Sequence, residues 1–185
     1  MYMRGRYVDD FLGLKCAGDI LNVHTKIFPN VKEISESQAA YFAIVNHLDI
    51  SPSDENVVLI CPGDGKYSRT SILCAFRTKW TCINIDPEAD TTLMDKVDRL
   101  TILNTKVQDL DLRFQEPTKL VIAAVHSHAP VLEIIKHLKC DGRRAMVAIP
   151  CCVSYRVPPY LPEFTYIDPY ILSPKNDVLL WSDLK

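Results

Sequence analysis

The stretch that decides the fold is 57–87, which begins VVLICPGDGKYS and ends WTCINIDP. Its first five residues are apolar and predict a buried strand, and two closely spaced glycines follow in a tight turn. A helix over 68–78 and a second strand over 80–85 complete the unit. This order predicts a βαβ motif with two parallel strands.

The glycine turn and the end of the second strand together predict a site for an adenosine-containing cofactor. Gly63 and Gly65 let a ligand approach the backbone, and the following helix presents unpaired N–H groups there. Asp64 and Lys66 lie in the same turn and join the candidate cofactor-binding residues. Asp86 ends the second strand, where a carboxylate accepts hydrogen bonds from ribose hydroxyls.

The rest of the chain alternates strands and helices. Helices are predicted from Ser35, where Gln38 completes a capping box, from Pro87 and from Pro130. Apolar runs predict further strands at 101–104, 119–125 and 145–149, and two strands about a turn at 165–172 and 178–181. The predicted fold is α/β: a Rossmann-like three-layer sandwich of about seven strands, mostly parallel, with a C-terminal antiparallel hairpin. Residues 1–32 are predicted to form an N-terminal arm, and 33–185 the domain.

Composition places the chain among soluble intracellular proteins. It has 185 residues, of which 48% are apolar and 24% are charged, as is ordinary for a soluble globular protein. The net charge is −2, so the protein lacks the overall positive charge that would indicate nucleic acid binding. Seven cysteines, several within apolar elements, indicate reduced thiols rather than a secreted disulfide framework. No apolar run reaches the ~20 residues that span a bilayer, and the N-terminus lacks the apolar core of a signal peptide. We therefore expect a cytoplasmic protein, or a nuclear one where the host has a nucleus.

Three cofactor classes use glycine turns of this kind. A phosphate-binding P-loop needs Ser or Thr after the lysine, but Tyr67 follows Lys66, so that class is excluded. A nicotinamide site needs a third glycine, and Ser68 stands in its place. A site for S-adenosylmethionine (SAM) needs two or three glycines, and Asp86 suits either of the last two cofactors.

The order of elements resolves this choice by a resemblance. With a capped helix before the first strand and a hairpin closing the sheet, residues 33–183 resemble the class I SAM-dependent methyltransferases. Gly63 and Gly65 match the glycine loop of that family, Asp86 matches its ribose acid, and Asp109 falls where the family often contacts adenine. The resemblance implies that SAM is the cofactor and that the protein is a methyltransferase.

Two positions depart from the family pattern and leave alternatives open. Cys61 replaces the acid that usually closes the first strand, and Tyr67 takes the third glycine position. The first alternative is therefore a catalytically inactive methyltransferase-like module that binds RNA or protein. The second is an NAD-dependent oxidoreductase.

A second group of candidate residues follows the neighbouring strands at 119–125 and 145–149. His126 and His128 end the first of these strands, and Cys151 and Cys152 end the second, so the fold brings all four to one rim. A histidine could take a proton from the methyl acceptor, and a cysteine could attack a pyrimidine ring. Two His and two Cys could also hold zinc. The remaining interpretation is that the thiols pack as small hydrophobes and a histidine caps a helix.

The methyl acceptor is indicated by a narrower resemblance. A histidine at 126 and the run Pro150–Cys152 are similar to features of methyltransferase-like proteins that act on RNA. These include the tRNA 2′-O-methylating group and the glutathione S-transferase C-terminal-domain-containing group. The resemblance implies RNA as an acceptor. Aromatic and basic residues that follow could stack a base or anchor a proline-rich loop: Tyr155, Arg156, Tyr160 and Tyr166.

Overall fold

The computed structural model describes residues 5–152 and 161–184. Within them, seven strands form one sheet and two short strands pair separately. The strands in chain order are β1 (Val57–Pro62), β2 (Thr81–Ile85), β3 (Leu100–Leu103), β4 (Leu112–Phe114), β5 (Lys119–Val125), β6 (Leu138–Cys140), β7 (Arg144–Ile149), β8 (Phe164–Ile167) and β9 (Asp177–Trp181).

The large sheet has the order β3-β2-β1-β5-β7-β9-β8. The first five strands run parallel, and β9 lies antiparallel to both of its neighbours. The predicted sheet of about seven strands, mostly parallel with a C-terminal antiparallel hairpin, is therefore confirmed. The strand order reverses direction between β1 and β5, and open α/β sheets bind ligands beside such a reversal.

Helices cover both faces of the sheet, so the predicted three layers are also confirmed. In β1, the side chains of Val57, Leu59 and Cys61 face one hydrophobic cluster, which contains four of the helices named below. Ile60 faces a second cluster on the other side of the sheet, which contains the last helix. This alternation follows from the pleat of the strand. The helices are α1 (Arg6–Leu12), α2 (Ala17–Val23), α3 (Val31–His47), α4 (Arg69–Arg77) and α5 (Val131–His137).

The N-terminal helices pack into the main core. Phe11 in α1 and Ile20 in α2 are fully buried in the cluster that also contains α3. The hydroxyl of Tyr7 donates a hydrogen bond to Asp168 Oδ2 over 2.6 Å, which connects α1 to the loop after β8. Residues 6–23, predicted as part of an arm, therefore share the core of the rest of the chain.

The predicted start of α3 at Ser35 is wrong. The helix begins at Val31, because Asn30 has extended backbone angles and its side chain accepts a hydrogen bond from Glu33 N. Asn is among the best N-caps, and it comes five residues before the predicted capping box. Ser35 lies inside the helix, where its hydroxyl donates to Lys32 O.

The helix predicted from Pro87 is also wrong. A 3₁₀ turn over Thr91–Lys96 replaces it, and the side chain of Asp90 caps that turn by accepting from Thr92 N. Leu93 is buried as the apolar spacing predicts, but β3 begins so soon afterwards that no longer helix fits. Among the residues that the structure describes, no helix has both the length and the apolar character needed to cross a membrane.

Candidate functional site

A cavity of about 450 Å³ opens at the carboxyl ends of β1, β2 and β5, and we call it the large cavity. Of the predicted site residues, its wall contains Gly63, Gly65, Asp86, His126 and His128. The other wall residues are Ile85, Pro87, Glu88, Lys106, Val107, Gln108, Ala129 and Pro130. The cavity therefore lies where the reversal of strand order places a ligand.

Tyr67, which takes the third glycine position of the turn, does not lie in the wall of this cavity. Its ring stacks on His24 in the segment after α2, with centroids 4.6 Å apart. The guanidinium of Arg69 lies over the same ring, 5.7 Å from its centroid. These contacts hold the tyrosine away from the large cavity, so its bulk leaves room there.

A second cavity, of about 230 Å³, lies on the other side of the glycine turn, and we call it the small cavity. It shares Gly63, Gly65 and His126 with the large cavity. Its remaining wall comes mainly from the first turns of α3 and α4, and carries both charges: Lys32, Glu33, Glu36, Ser37, Asp64, Arg69, Thr70 and Val125. The two cavities therefore meet at the glycines.

The two glycines have the same conformation but different surroundings. Gly63 and Gly65 both have φ of +70°, which favours glycine. A Cβ on Gly63 would lie 2.7 Å from Ser127 Oγ, so a side chain there collides with the residue after His126. A Cβ on Gly65 would meet nothing within 4 Å, because that position faces open space.

Asp86 fixes the turn from the end of β2. Its Oδ2 accepts from Gly65 N over 3.0 Å, and its Oδ1 accepts from Glu88 N over 2.8 Å. Buried Asn84 also holds the turn, because its amide donates to Gly65 O and to Ser68 Oγ. Each carboxylate oxygen has a second acceptor site, and Asp86 lies in the wall of the large cavity.

The carboxylate of Asp64 binds the start of α4 and does not face the open part of either cavity. Its carboxylate accepts from Thr70 N, Ser71 N and Ser71 Oγ over 2.8–3.1 Å, and so satisfies the first turn of α4. Removal from water raises the pKa of this carboxyl, although those hydrogen bonds act in the opposite direction. The residue borders the small cavity, with its oxygens directed to the helix.

Two of the residues predicted to bind the cofactor lie outside both walls. Lys66 is exposed at the tip of the turn, and Asp109 is exposed in a short 3₁₀ turn after β3. The residues before Asp109, Val107 and Gln108, line the large cavity instead. The sequence therefore indicated the right segment, but the helical turn directs the residue before Asp109 into the site.

Glu36 is a site residue that the sequence did not indicate. Its Oε1 lies 2.8 Å from His126 Nε2, and its side chain is 7% exposed. The spacing of residues gives no signal for it, because only the structure shows that α3 buries the polar run from Ser35 to Gln38. His126 has φ of +50° and borders both cavities. A strained residue at such a position is typical of a functional site.

Buried polar atoms concentrate at the small cavity. Within the described residues, four buried side-chain atoms have no aligned hydrogen bond. Three of them belong to this wall: Glu33 Oε2, Glu36 Oε1 and His126 Nε2. Each lies close to a partner of the wall: Glu36 Oε1 is 2.8 Å from His126 Nε2, and Glu33 Oε2 is 2.9 Å from Arg69 Nε. The wall is therefore lined by partly buried polar and charged groups.

His128, Cys151 and Cys152 form a separate cluster beside the large cavity. The Nε2 atom of His128 lies 3.3 Å from each sulfur, and the two sulfurs are 3.4 Å apart. Partial burial, with the adjacent Cys152 thiol, raises the pKa of Cys151.

The residues predicted to stack a base are only partly described. Tyr155, Arg156 and Tyr160 lie outside the described residues. Tyr166 is in β8, where its ring packs against His47 with centroids 4.9 Å apart. That ring is therefore part of the contact between β8 and α3.

Comparison with known proteins supports the fold. No protein-family model matches the sequence, and no curated protein matches it. MtNAS, solved in complex with MTA and tNA, is 11% identical with a TM-score of 0.52, and the match covers 97% of this chain and 69% of MtNAS. A point mutant of MtNAS was solved with SAM. We base the assignment of the fold on MtNAS.

Two further solved structures match over a smaller part. A candidate SAM-dependent methyltransferase of Methanococcus maripaludis is 18% identical, with 71% of this chain and 60% of that protein covered and a TM-score of 0.39. Geranyl diphosphate methyltransferase in complex with SAM is 15% identical, with coverages of 74% and 55% and a TM-score of 0.41. This chain thus spans less than two thirds of both. Together with the strand order, the comparison with MtNAS confirms the Rossmann-like fold predicted from the resemblance to class I SAM-dependent methyltransferases.

Proposed function

We propose that the protein is a SAM-dependent methyltransferase, with the cofactor lying across the glycine turn. The observation that carries this proposal is the pair of cavities that meet at Gly63, Gly65 and His126. SAM has a nucleoside and a charged amino-acid tail joined at a sulfonium. A ligand of that shape needs two unlike compartments and a point between them where it can approach the backbone closely. The two cavities are such compartments, and the glycine turn between them allows the close approach.

The residues of the large cavity fit the nucleoside. Asp86 offers its remaining acceptor sites to the ribose hydroxyls. Val107 and Gln108 provide an apolar surface and an amide for the base. MtNAS shares this fold, and a mutant of it was solved with SAM.

The residues of the small cavity fit the amino-acid tail. The carboxylates of Glu33 and Glu36 keep acceptor sites beyond their contacts with Arg69 and His126 and suit an ammonium group, and Lys32 and Arg69 in the same wall suit a carboxylate. Arg69 is held by Glu33 Oε2 at 2.9 Å and by the carbonyl of Ile27, so its guanidinium is already positioned. The fit therefore rests on the charges of the wall as well as on its shape.

A dinucleotide fits less well. Nicotinamide cofactors bind across two βαβαβ halves of a doubly wound sheet. Here the second half contains β5, α5 and β7, after which antiparallel β9 takes the next place in the sheet. The described chain thus has one mononucleotide-binding half, which favours SAM over NAD.

His126 is the residue best placed to move a proton during methyl transfer. SAM, when bound, supplies an electrophilic methyl group to a nucleophile. Glu36 lies beside Nε2 of His126, where its carboxylate orients the ring and stabilises the imidazolium. The other ring nitrogen is then available to accept the proton of a hydroxyl, amine or thiol acceptor in the large cavity. The remaining work of the protein is alignment.

Calorimetry with SAM tests this proposal. We expect micromolar binding, and a loss of roughly 10–100-fold in Asp86→Asn, because a hydrogen bond to a charged group is worth about 1.5–3 kcal/mol. Asp109→Asn is the matched control, since that carboxylate lies outside the wall, and it should bind as the wild type does. Absence of SAM binding would leave a methyltransferase-like binding module, and binding of NAD instead would favour an oxidoreductase.

A labelling experiment identifies the class of methyl acceptor. The purified protein is incubated with methyl-labelled SAM and an extract of cells from which its gene has been deleted, and the product is digested with ribonuclease or protease. RNA stays our proposed acceptor, so label should be lost on ribonuclease treatment; label that survives both digestions in the small-molecule fraction would contradict RNA. We also keep the cytoplasm as the proposed location, in agreement with the composition.

A further inference from the structure

We propose that His128, Cys151 and Cys152 form a zinc site with one coordination position open toward the large cavity. The three ligand atoms are separated by 3.3, 3.3 and 3.4 Å. Zinc–sulfur bonds of about 2.3 Å and zinc–nitrogen bonds of about 2.0–2.1 Å place tetrahedral ligands roughly 3.5–3.8 Å apart. The three side chains thus need to separate by only a few tenths of an ångström to hold the ion.

The strands hold these ligands in place before any ion binds. β5 and β7 pair in parallel with Val125 opposite Ile149, so both following loops begin at the same level of the sheet. His126 N donates to Ile149 O over 2.8 Å, which connects the two loops directly. The thiol of Cys151 lies 3.7 Å from His126 O. The cluster therefore results from the sheet register.

The type of ligand favours zinc. Two thiols and an imidazole are borderline-soft donors, which suit zinc and copper(I) better than magnesium or calcium. Each thiol would release its proton to solvent on binding, so the two thiolates balance the charge of Zn²⁺. We choose zinc because an imidazole with two thiolates is a known ligand set for that ion in catalytic sites.

The exposure of the cluster argues against a packing role for the two thiols. Cys61, Cys74 and Cys82 are buried and behave as core side chains, but Cys151 is half-buried and Cys152 is exposed. A half-buried and an exposed thiol beside a histidine gain little from apolar packing. Their arrangement is explained by a shared ligand.

The open position determines what the ion would do. Three protein ligands are present within the described residues, and catalytic zinc typically keeps its fourth position for water or substrate. His128 borders the large cavity, so the ion would face the place where the methyl acceptor meets the donor. This role, unlike zinc binding itself, depends on the proposed methyltransferase activity. The ion would bind a hydroxyl of the acceptor and lower its pKa.

Elemental analysis tests the site directly. The full chain is purified under reducing conditions without chelators, and we expect one zinc per chain by mass spectrometry. Exchange for Co²⁺ should give the intense visible bands of a tetrahedral site and thiolate-to-cobalt charge transfer. Both signals should be lost in Cys152→Ser and in His128→Gln. Cys140→Ser, a half-buried thiol outside the cluster, is the matched control and should keep the full zinc content.

Several outcomes would overturn the site. The first is a zinc content no higher in the wild type than in Cys152→Ser, and the second is cobalt bands that survive that substitution. The third is a disulfide between Cys151 and Cys152 that persists under the reducing conditions of the purification. Calorimetry with SAM on Cys152→Ser separates this inference from the proposed function, because that residue does not line the large cavity. Loss of zinc with SAM binding retained supports both proposals. Zinc binding without SAM binding would contradict the proposed methyltransferase activity and leave the zinc site supported.

Discussion

Replacing Gly65 by alanine tests whether the cofactor tail crosses the turn. The residue has φ of +70°, and a left-handed backbone costs an L residue about 1–2 kcal/mol. The added methyl group would meet no atom of the protein within 4 Å, so no further strain arises in the fold. For a chain of this size, that cost lowers the melting temperature by roughly 2–8 °C.

The same methyl group lies where SAM is proposed to cross the backbone. Forcing one extra methyl into a filled site costs about 1–3 kcal/mol, which weakens SAM binding by roughly 5–150-fold. Calorimetry of Gly65→Ala well below its melting temperature measures this loss. If the variant binds SAM as the wild type does while its melting temperature falls as expected, the tail does not pass over Gly65.

Gly63→Ala is the matched comparison, because Gly63 has the same φ but a Cβ there lies 2.7 Å from Ser127 Oγ. The cost of the left-handed backbone and of the collision together is about 2–5 kcal/mol. We expect this variant to melt roughly 4–20 °C below the wild type. Equal melting temperatures for the two variants would show that the contact with Ser127 is looser than the structure has it.

Three further predictions concern single side chains. Tyr7→Phe leaves the buried carboxylate of Asp168 without this donor and should lower the stability to chemical denaturation by about 1–3 kcal/mol, whereas no change would show that α1 is not fastened to the loop after β8. Asp64→Ala removes the cap of α4 and should lower the stability by about 0.5–2 kcal/mol, and a melting temperature equal to that of the wild type would contradict the capping role. His126→Gln should lower the initial rate of labelled methyl transfer at saturating SAM by a factor of about 10²–10⁴, and an unchanged rate would return His126 to a structural role.

The fold was predictable where the apolar pattern of a segment agrees with its place in the sheet. Buried strands of a parallel sheet are continuous apolar runs, and each run that was predicted as such a strand is one in the structure. Helix starts were less accurate, because two plausible caps, Asn30 and Ser35, lie within one and a half turns of each other, and the structure uses the first. The helix from Pro87 failed because only Thr91–Lys96 is helical, as a 3₁₀ turn, and β3 begins at Leu100, which leaves no room for a longer helix.

The candidate site was predictable where one motif contains it. The glycine turn and Asp86 belong to a single βαβ unit, so their contact is encoded in sequence spacing. Glu36 comes from a helix before that unit and meets His126 only when α3 packs on the sheet. Gln108 rather than Asp109 borders the cavity because of the direction of one short turn. Contacts of these kinds depend on tertiary geometry, which spacing alone does not fix.

The end of β5 connects the two parts of the site. His126 has φ of +50°, a conformation that costs a non-glycine residue about 1–2 kcal/mol. The hydrogen bond from its N–H to Ile149 O and the contact of its Nε2 with Glu36 Oε1 hold it there. The resulting bend directs residue 126 toward the glycine turn and residue 128 toward the cysteines. Because one strained bend serves both the proposed cofactor site and the proposed zinc site, it is more simply explained by function than by packing.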